Sequence, residues 1–164
     1  MNPAYQIDKS AMEPVSGNPK RIVGGTGDPY ITGGWPGDYW LIYASNGIIY
    51  PAGTEITVKY LTRGSNTAHK YHILECWDGS AWQPATPLQT ETETGKGEQY
   101  NFIQETTNQE VSVSWKLVVP CSEMQFRMRC SANWQLNGKG AVANPNSGTC
   151  RISERCEMMI VPEK

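Results

Sequence analysis

The chain has 164 residues, of which 38% are hydrophobic and 18% are charged, and its formal net charge is −2. This length fits one domain with one substantial core, and no apolar run approaches the ~20 residues that a transmembrane helix needs. The near-neutral charge and the lack of a polybasic cluster argue against nucleic acid as a partner. Six tryptophans and eight tyrosines suit half-exposed positions, although most of these rings are expected in the core.

Residues 1–20 contain three prolines and no sustained hydrophobic period, so we expect an extended arm or linker there and a single β-sandwich domain at 21–164. The start Met1-Asn2-Pro3 lacks the basic and apolar regions of a signal peptide. Either the protein is cytosolic or its leader has been removed, and the low charge and the many Thr, Ser, Asn and Gly residues, which are typical of exported domains, favour the second. The predicted location is therefore secreted, periplasmic or cell-surface, with the leader absent from this sequence.

A glycine-rich segment, Gly24–Gly37, follows a predicted short strand at 21–24. It is not a phosphate-binding loop, because no Gly-Lys-Ser/Thr follows it and no helical pattern begins after it. We expect a long surface connection that carries Tyr30 and Trp35, since binding residues often lie on such loops. A strand at Asp38–Tyr43 and a turn at Ser45-Asn46-Gly47 come next.

The segment Tyr71–Gln83 predicts a β-hairpin. Aromatic and branched residues favour a strand at Tyr71–Trp77, and Asp78-Gly79-Ser80 supplies a tight turn. A short return strand at 81–83 would bring Trp82 near Trp77 across the hairpin.

Other segments alternate between apolar and polar residues, which is typical of half-buried strands. The clearest are 54–61, 111–119 and 124–130, where Phe126, Met128 and Cys130 would face the core. Weaker strands are expected at 98–103, 150–152 and 157–161, with loops at 84–97 and 131–148. About nine short strands without a helical period predict an all-β antiparallel sandwich of two sheets, with jelly-roll topology preferred.

The five cysteines are an odd number, so at least one has no partner within the chain. Cys76 and Cys130 lie in strand patterns, where cysteine behaves as a small apolar residue. Cys150 and Cys156 would close a short turn and form the best disulfide candidate, if the compartment is oxidising.

The sequence contains no positive sign of catalysis, and the chain is predicted not to be an enzyme. Two histidines, His69 and His72, fall short of a metal site, and we expect them to be solvated or hydrogen-bonded locally. No Gly-x-Ser-x-Gly segment occurs, and no spacing isolates a carboxylate pair. Glu75 is expected to face solvent or to cap the hairpin. No catalytic residue, metal ligand or cofactor is assigned.

Binding requires only exposed aromatic rings and a few hydrogen-bond donors. Trp35 and Trp134 lie in long Gly- and Asn-rich loops, so they are the tryptophans most expected to be exposed, although folding back onto the sandwich is as plausible. Asn133 and Arg127 are candidate donors to sugar hydroxyls, and Tyr30 is a further aromatic candidate.

The chain resembles galactose-binding-like β-sandwich domains, which occur in exported proteins of gut-type Gram-negative bacteria. The matching features are Leu74-Glu75-x-Trp77-Asp78-Gly79-x-x-Trp82, the strand Phe126–Cys130 before an Asn-rich loop, and Ala44-Ser45-Asn46-Gly47. The resemblance spans 38–162 and implies a jelly-roll sandwich, often a carbohydrate-binding or adhesive module of a surface lipoprotein. Such folds frequently hold a structural calcium ion, but the necessary run of loop carboxylates is not evident and no ligand residue carries over.

These observations favour a non-catalytic glycan-binding module of an exported or cell-surface protein that contacts sugar through loop aromatics. The alternative is a structural or adhesive protein-interaction domain without a sugar site. The predicted partner is a glycan or a cell-surface protein, and a full-length precursor could be lipid-anchored. A continuous apolar patch beyond a few hundred Å² would favour the alternative.

Overall fold

The computed structural model describes residues 4–7, 12–14, 20–23, 29–33, 39–132, 134–141 and 150–162. Side chains are described for 47–128, 130–132, 134–141 and 158–162. In this part of the chain no helix is long and apolar enough to cross a membrane. All its regular elements are strands, in chain order β1 (Ala4–Ile7), β2 (Met12–Pro14), β3 (Lys20–Val23), β4 (Pro29–Gly33), β5 (Tyr39–Tyr50), β6 (Glu55–Gly64), β7 (Tyr71–Trp77), β8 (Trp82–Pro84), β9 (Gln89–Thr90), β10 (Gln99–Tyr100), β11 (Phe102–Ile103), β12 (Gln109–Lys116), β13 (Cys121–Cys130) and β14 (Cys150–Val161).

The strands form two large antiparallel sheets in jelly-roll order. Sheet 1 has the order β3-β4-β14-β6-β12, with β1 added beside β14. Sheet 2 has the order β2-β5-β13-β7-β11, with β8 added beside β7. Successive long strands alternate between the sheets. β4, β6, β12 and β14 belong to sheet 1, and β5, β7 and β13, which follow β4, β6 and β12 among the long strands, belong to sheet 2. This alternation is jelly-roll connectivity. The predicted all-β antiparallel sandwich is confirmed.

The core lies between the two sheets and follows the predicted alternation. Along β6, exposed or half-buried residues alternate with buried ones. On β13, Phe126, Met128 and Cys130 are buried as predicted, and Phe126 is fully inaccessible. Its ring contacts Tyr60 at 5.9 Å and stacks on Trp115 at 6.0 Å between centroids, so one phenylalanine joins both sheets. Each fully buried side chain of this kind contributes roughly 1.5–3 kcal/mol.

Several predicted boundaries are wrong for identifiable reasons. β5 continues through the turn predicted at Ser45-Asn46-Gly47. Ser45 pairs with Glu123 and Tyr50 pairs with Cys121, and the extra β5 residues between Ser45 and Tyr50 form a bulge. The two predicted C-terminal strands are one strand, β14, with a register shift near its middle. The strand predicted at 111–119 ends at Lys116 in β12, and Val119 is 37% exposed.

The N-terminal residues take part in both sheets. β1 pairs with β14, and β2 pairs with β5. The predicted division at residue 20 into an arm and a domain stays a prediction.

The predicted disulfide does not fit the backbone. Cys150 lies opposite Gly64 and Cys156 opposite Tyr60, so the two cysteines are separated by four residues of β6, about 13 Å along the strand. A disulfide needs Cα atoms within about 7 Å. The turn that was expected between them is absent, because both cysteines lie on one strand.

Asn101 completes the edge of β7 between two short strands. β8 pairs with the end of β7 and β11 with its start, which leaves Leu74 between them. The Asn101 side chain accepts a hydrogen bond from the Leu74 N–H at 2.8 Å and donates to the Leu74 and Ala85 carbonyls at 3.0 Å. This amide therefore takes the place of a strand residue and holds β8 in position.

Candidate functional site

The face of sheet 2 that points away from the core carries a cluster of aromatic and charged side chains. Cross-strand pairs set Trp82 opposite Trp77 and Glu75 opposite Arg127. Because side chains alternate along a strand and Leu74 and Cys76 belong to the core, the odd-numbered residues of β7 lie on the outer face. We call Glu75, Trp77, Trp82, Gln125 and Arg127 the outer-face cluster.

Contacts fix the geometry of the outer-face cluster. The two indoles meet edge to face, with ring centroids 5.5 Å apart, as the hairpin pattern predicted. The guanidinium carbon of Arg127 lies 4.1 Å from a Trp82 ring centroid. Arg127 Nε donates to Glu75 Oε1 at 3.0 Å, and the side chains are only 21% and 11% exposed. A clamped cation thus rests on one face of a half-buried indole.

Hydrogen-bonding groups surround these rings. Asp78, in the hairpin turn, accepts from the Ser80 and Ala81 N–H groups and from Gln83 Nε2. The N–H groups of Ala81 and Ser80 hold the pKa of Asp78 below its usual value. Gln125 lies two residues before Arg127 on the same face, and its half-buried amide makes no hydrogen bond to another described residue. The Gln125 amide can therefore donate to and accept from a ligand.

Two of the five predicted site residues have described side chains, and they are far apart. Arg127 belongs to the outer-face cluster. The Trp134 carbonyl accepts a hydrogen bond from the Lys70 N–H at 2.8 Å. Lys70 precedes Glu75, the partner of Arg127, by five residues, which corresponds to about 17 Å along a strand. Trp134 is half-buried, and its buried indole N–H has no partner among the described residues. The structure therefore does not bring Trp134 and Arg127 into one site.

The other three predicted residues cannot be placed in a site. Trp35 and Asn133 lie outside the described residues. Tyr30 was predicted in a loop, but it belongs to β4, where it pairs with Ile22 and Ser153. Its side chain lies outside the described part. The loop prediction failed here because Tyr30-Ile31-Thr32 has high strand propensity and is hidden between glycine-rich flanks.

Sequence reasoning missed Glu75, Trp77, Trp82 and Gln125 as site residues. Glu75 was expected to face solvent or to cap the hairpin, but it is 9% exposed. The burial arises because β13 packs beside β7, which is a non-local pairing. The sequence contains a pattern that indicates these residues. Glu75 and Trp77 are two positions apart on one strand, so their side chains lie on the same face of the hairpin, and Trp82 lies opposite Trp77 across the turn.

Burial and hydrogen bonds shift the pKa of several titratable groups in the described part of the chain. Burial, with a smaller effect of Glu75, raises the pKa of Cys76 to about 12, so its thiol stays protonated. Burial and the nearby His72 lower the pKa of His69 to about 3. Hydrogen bonds from Tyr71 and Lys70 lower the pKa of Glu93. A glycosidase acid requires the opposite shift, a raised carboxyl pKa.

The two histidines were expected to be solvated or hydrogen-bonded locally, and both are buried, with His69 1% and His72 6% exposed. His72 Nε2 lies 3.0 Å from the His69 carbonyl, so the expected local hydrogen bond is confirmed for His72. No group of three His, Cys, Asp or Glu side chains that could hold a metal ion occurs among the described residues.

Solved structures similar to this chain are carbohydrate-binding β-sandwich domains. No protein-family model matches the chain, and no curated protein matches it. The xylan-binding module CBM15 matches with 9% identity and a TM-score of 0.51, over 100% of both chains. The CBM22-1 xylan-binding domain of Paenibacillus barcinonensis Xyn10C matches with 8% identity and a TM-score of 0.53, over 98% of this chain and 95% of that one.

A third match is part of a larger protein. It is the Clostridium thermocellum N-terminal endo-1,4-β-D-xylanase 10B, CBM22-1-GH10 modules complexed with xylohexaose, with 8% identity and a TM-score of 0.55. The match covers 100% of this chain and 28% of that chain, so this chain spans less than a third of the length of that protein. The shared property is the fold: this chain has a β-sandwich of the kind found in carbohydrate-binding modules.

Proposed function

We propose that this chain is a non-catalytic carbohydrate-binding module that holds a glycan against the outer-face cluster. The observation that carries the proposal is the half-buried Trp82 indole, flanked by Trp77 and by an Arg127 guanidinium that Glu75 holds in place. An indole offers an apolar surface to the C–H face of a sugar ring. The guanidinium and the Gln125 amide are fixed polar groups that suit its hydroxyls.

The rigidity of the cluster favours binding. Arg127 is immobilised between a carboxylate and a ring, so little side-chain entropy remains to be lost when a ligand binds. Since Glu75 neutralises Arg127, the cluster presents no net charge, and we infer that the ligand is a neutral polysaccharide. The similarity in fold to xylan-binding modules supports xylan as the first polysaccharide to test.

Trp35, Trp134, Asn133 and Tyr30 are proposed as further contacts from outside the cluster. The buried indole N–H of Trp134 is a donor that a bound ligand could satisfy after a small movement of its loop. We also propose that the module works outside the cytoplasm, as a secreted, periplasmic or cell-surface domain, galactose-binding-like in type, with lipid anchoring in a longer precursor as one means of attachment.

A glycan array tests the proposal, followed by intrinsic tryptophan fluorescence for each polysaccharide that binds. Binding should be lost in Trp82→Ala and retained in Leu88→Ala, an exposed apolar position that does not belong to the cluster. Trp134→Ala and Trp35→Ala assign the loop contacts. The absence of binding to every neutral polysaccharide would contradict the proposal.

A protein-interaction role is the second candidate, because apolar side chains are exposed at one end of the sandwich. Ile48, Ile49, Val118 and Val119 are 51%, 71%, 58% and 37% exposed. Ile48 and Ile49 precede Tyr50, and Val118 and Val119 precede Cys121, which pairs antiparallel with Tyr50, so the two exposed pairs lie on either side of this strand pairing. Exposed apolar groups suit protein contact better than sugar. If Ile49→Asp retains glycan binding, the exposed apolar residues are not needed for the glycan, and the protein-interaction role is separate from the glycan-binding role.

A further inference from the structure

Strand β12 is a long, regular edge of sheet 1. Its eight residues pair with β6 without interruption, from Gln109 opposite Thr62 to Lys116 opposite Glu55, and among the described residues they pair with no other strand. β12 contains neither proline nor glycine. By contrast, β8 and β11 beside β7 have three and two residues. A long, regular edge presents unpaired N–H and C=O groups to another chain.

The hydrogen bonds at the end of β12 show which backbone groups face this edge. The Leu117 N–H donates to the Thr54 carbonyl, and the Leu117 carbonyl accepts from the Gly53 N–H. Leu117 thus directs both groups toward the β6 side. Because this direction alternates along an antiparallel strand, the odd-numbered residues of β12 face β6. The groups that face the free edge belong to Glu110, Ser112, Ser114 and Lys116.

We propose that two copies of this chain pair antiparallel through their β12 edges, about a two-fold axis at Val113. In this register Ser112 of one copy lies opposite Ser114 of the other, and Glu110 lies opposite Lys116. The symmetry repeats each pair. Every outward N–H from 110 to 116 meets an outward carbonyl of the other copy, and the result is one continuous sheet across the dimer.

Charge complementarity selects this register over its neighbours. An axis at Ser112 would set Lys116 opposite Asn108, and an axis at Ser114 would set Glu110 opposite Val118. Only the axis at Val113 sets each carboxylate opposite an ammonium group. All four outward residues are exposed, and neither Glu110 nor Lys116 forms an ion pair with another described side chain.

Sedimentation velocity over a concentration series measures the pairing. The wild-type chain should form a reversible dimer. Lys116→Glu sets two pairs of like charges opposite each other, and the dimer dissociation constant should rise about tenfold or more. Exchanging the charges in Glu110→Lys/Lys116→Glu should restore wild-type association. Lys96→Glu, which makes the same charge change in an exposed turn, should have no effect.

Ser112→Pro gives a second test. Proline removes an N–H that faces the free edge and leaves the bonds to β6 in place, so a chain that keeps its circular dichroism spectrum should be monomeric. A wild-type chain that is monomeric at every concentration would overturn the proposal. A dimer that persists in Lys116→Glu, or one that the charge exchange does not restore, would also overturn it. No glycan enters these experiments, so their failure leaves the proposed glycan binding untouched.

Discussion

Arg127 joins two residues that lie seven positions apart in the sequence. Its guanidinium carbon lies 4.1 Å from a Trp82 ring centroid, and its Nε lies 3.0 Å from Glu75 Oε1. The ion pair is mostly buried, so neither charged group keeps its full hydration. The same arrangement therefore contributes to stability and fixes the polar part of the proposed sugar site.

Replacing Glu75 with alanine should destabilise the fold and weaken glycan binding together. The substitution removes the carboxylate that pairs with the largely buried Arg127 guanidinium, which should cost about 2 kcal/mol of unfolding free energy after allowance for its partial exposure. Urea denaturation measures this cost. Lys70→Gln is the control: it breaks the more exposed Lys70–Glu93 pair and should cost less than about 1 kcal/mol. Equal costs would contradict a special role for the Glu75–Arg127 pair.

Asn101→Ala should loosen the edge of β7. It removes the partner of the Leu74 N–H and of the Ala85 carbonyl, whereas the Leu74 carbonyl still accepts from the Ala85 N–H. Leaving the Leu74 N–H and the Ala85 carbonyl unsatisfied should cost about 2–3 kcal/mol, which thermal or urea unfolding would detect. Asn108→Ala, at an exposed loop position, should change stability by less than about 0.5 kcal/mol. Amide hydrogen exchange of Leu74 should accelerate only in Asn101→Ala.

His69 should make the fold sensitive to mildly acidic pH. Burial, with a contribution from His72, lowers its pKa in the folded chain to about 3, against 6.5 for an ordinary histidine. The unfolded chain therefore binds a proton first, and this contribution to stability is present above pH 6.5 and is lost as the pH falls toward 3. Between pH 7 and pH 5 the loss should be about 2 kcal/mol.

Denaturant unfolding at several pH values measures this loss. The slope should largely disappear in His69→Gln, whose side chain does not titrate. An unchanged slope in that variant would show that another group is responsible. The depressed pKa values of Asp78 and Glu93 affect stability at lower pH, so the window from pH 7 to pH 5 separates the histidine from them.

The sequence predicts local features better than long-range ones. The Asp-Gly turn and its flanking tryptophans are local, and their contact follows from two-residue alternation and turn chemistry. The inward side of β13 follows from alternation as well. The Glu75–Arg127 pair depends on two strands 52 residues apart becoming neighbours, and no local pattern encodes that pairing. The bulge in β5 and the Asn101 bridge depend on the same kind of non-local pairing.

Exposure of tryptophan was the weakest basis for predicting the site. Trp134 lies in a polar loop, yet its indole N–H is buried, because that loop packs along the start of β7 with bonds to Lys70 and Ala68. Trp82 was predicted only as a packing partner of Trp77, yet it is the ring on which Arg127 rests. Loop composition does not reveal such packing.

The affinity of the best-bound neutral polysaccharide for the wild-type chain and for Trp82→Ala tests the central claim most directly. Isothermal titration calorimetry, with Leu88→Ala as control and circular dichroism to check folding, gives the comparison. The account predicts that Trp82→Ala binds at least tenfold more weakly, a loss of about 1.4 kcal/mol or more, while Leu88→Ala binds like wild type. Unchanged affinity in Trp82→Ala would show that the glycan lies elsewhere, and the outer-face cluster would then be structural only.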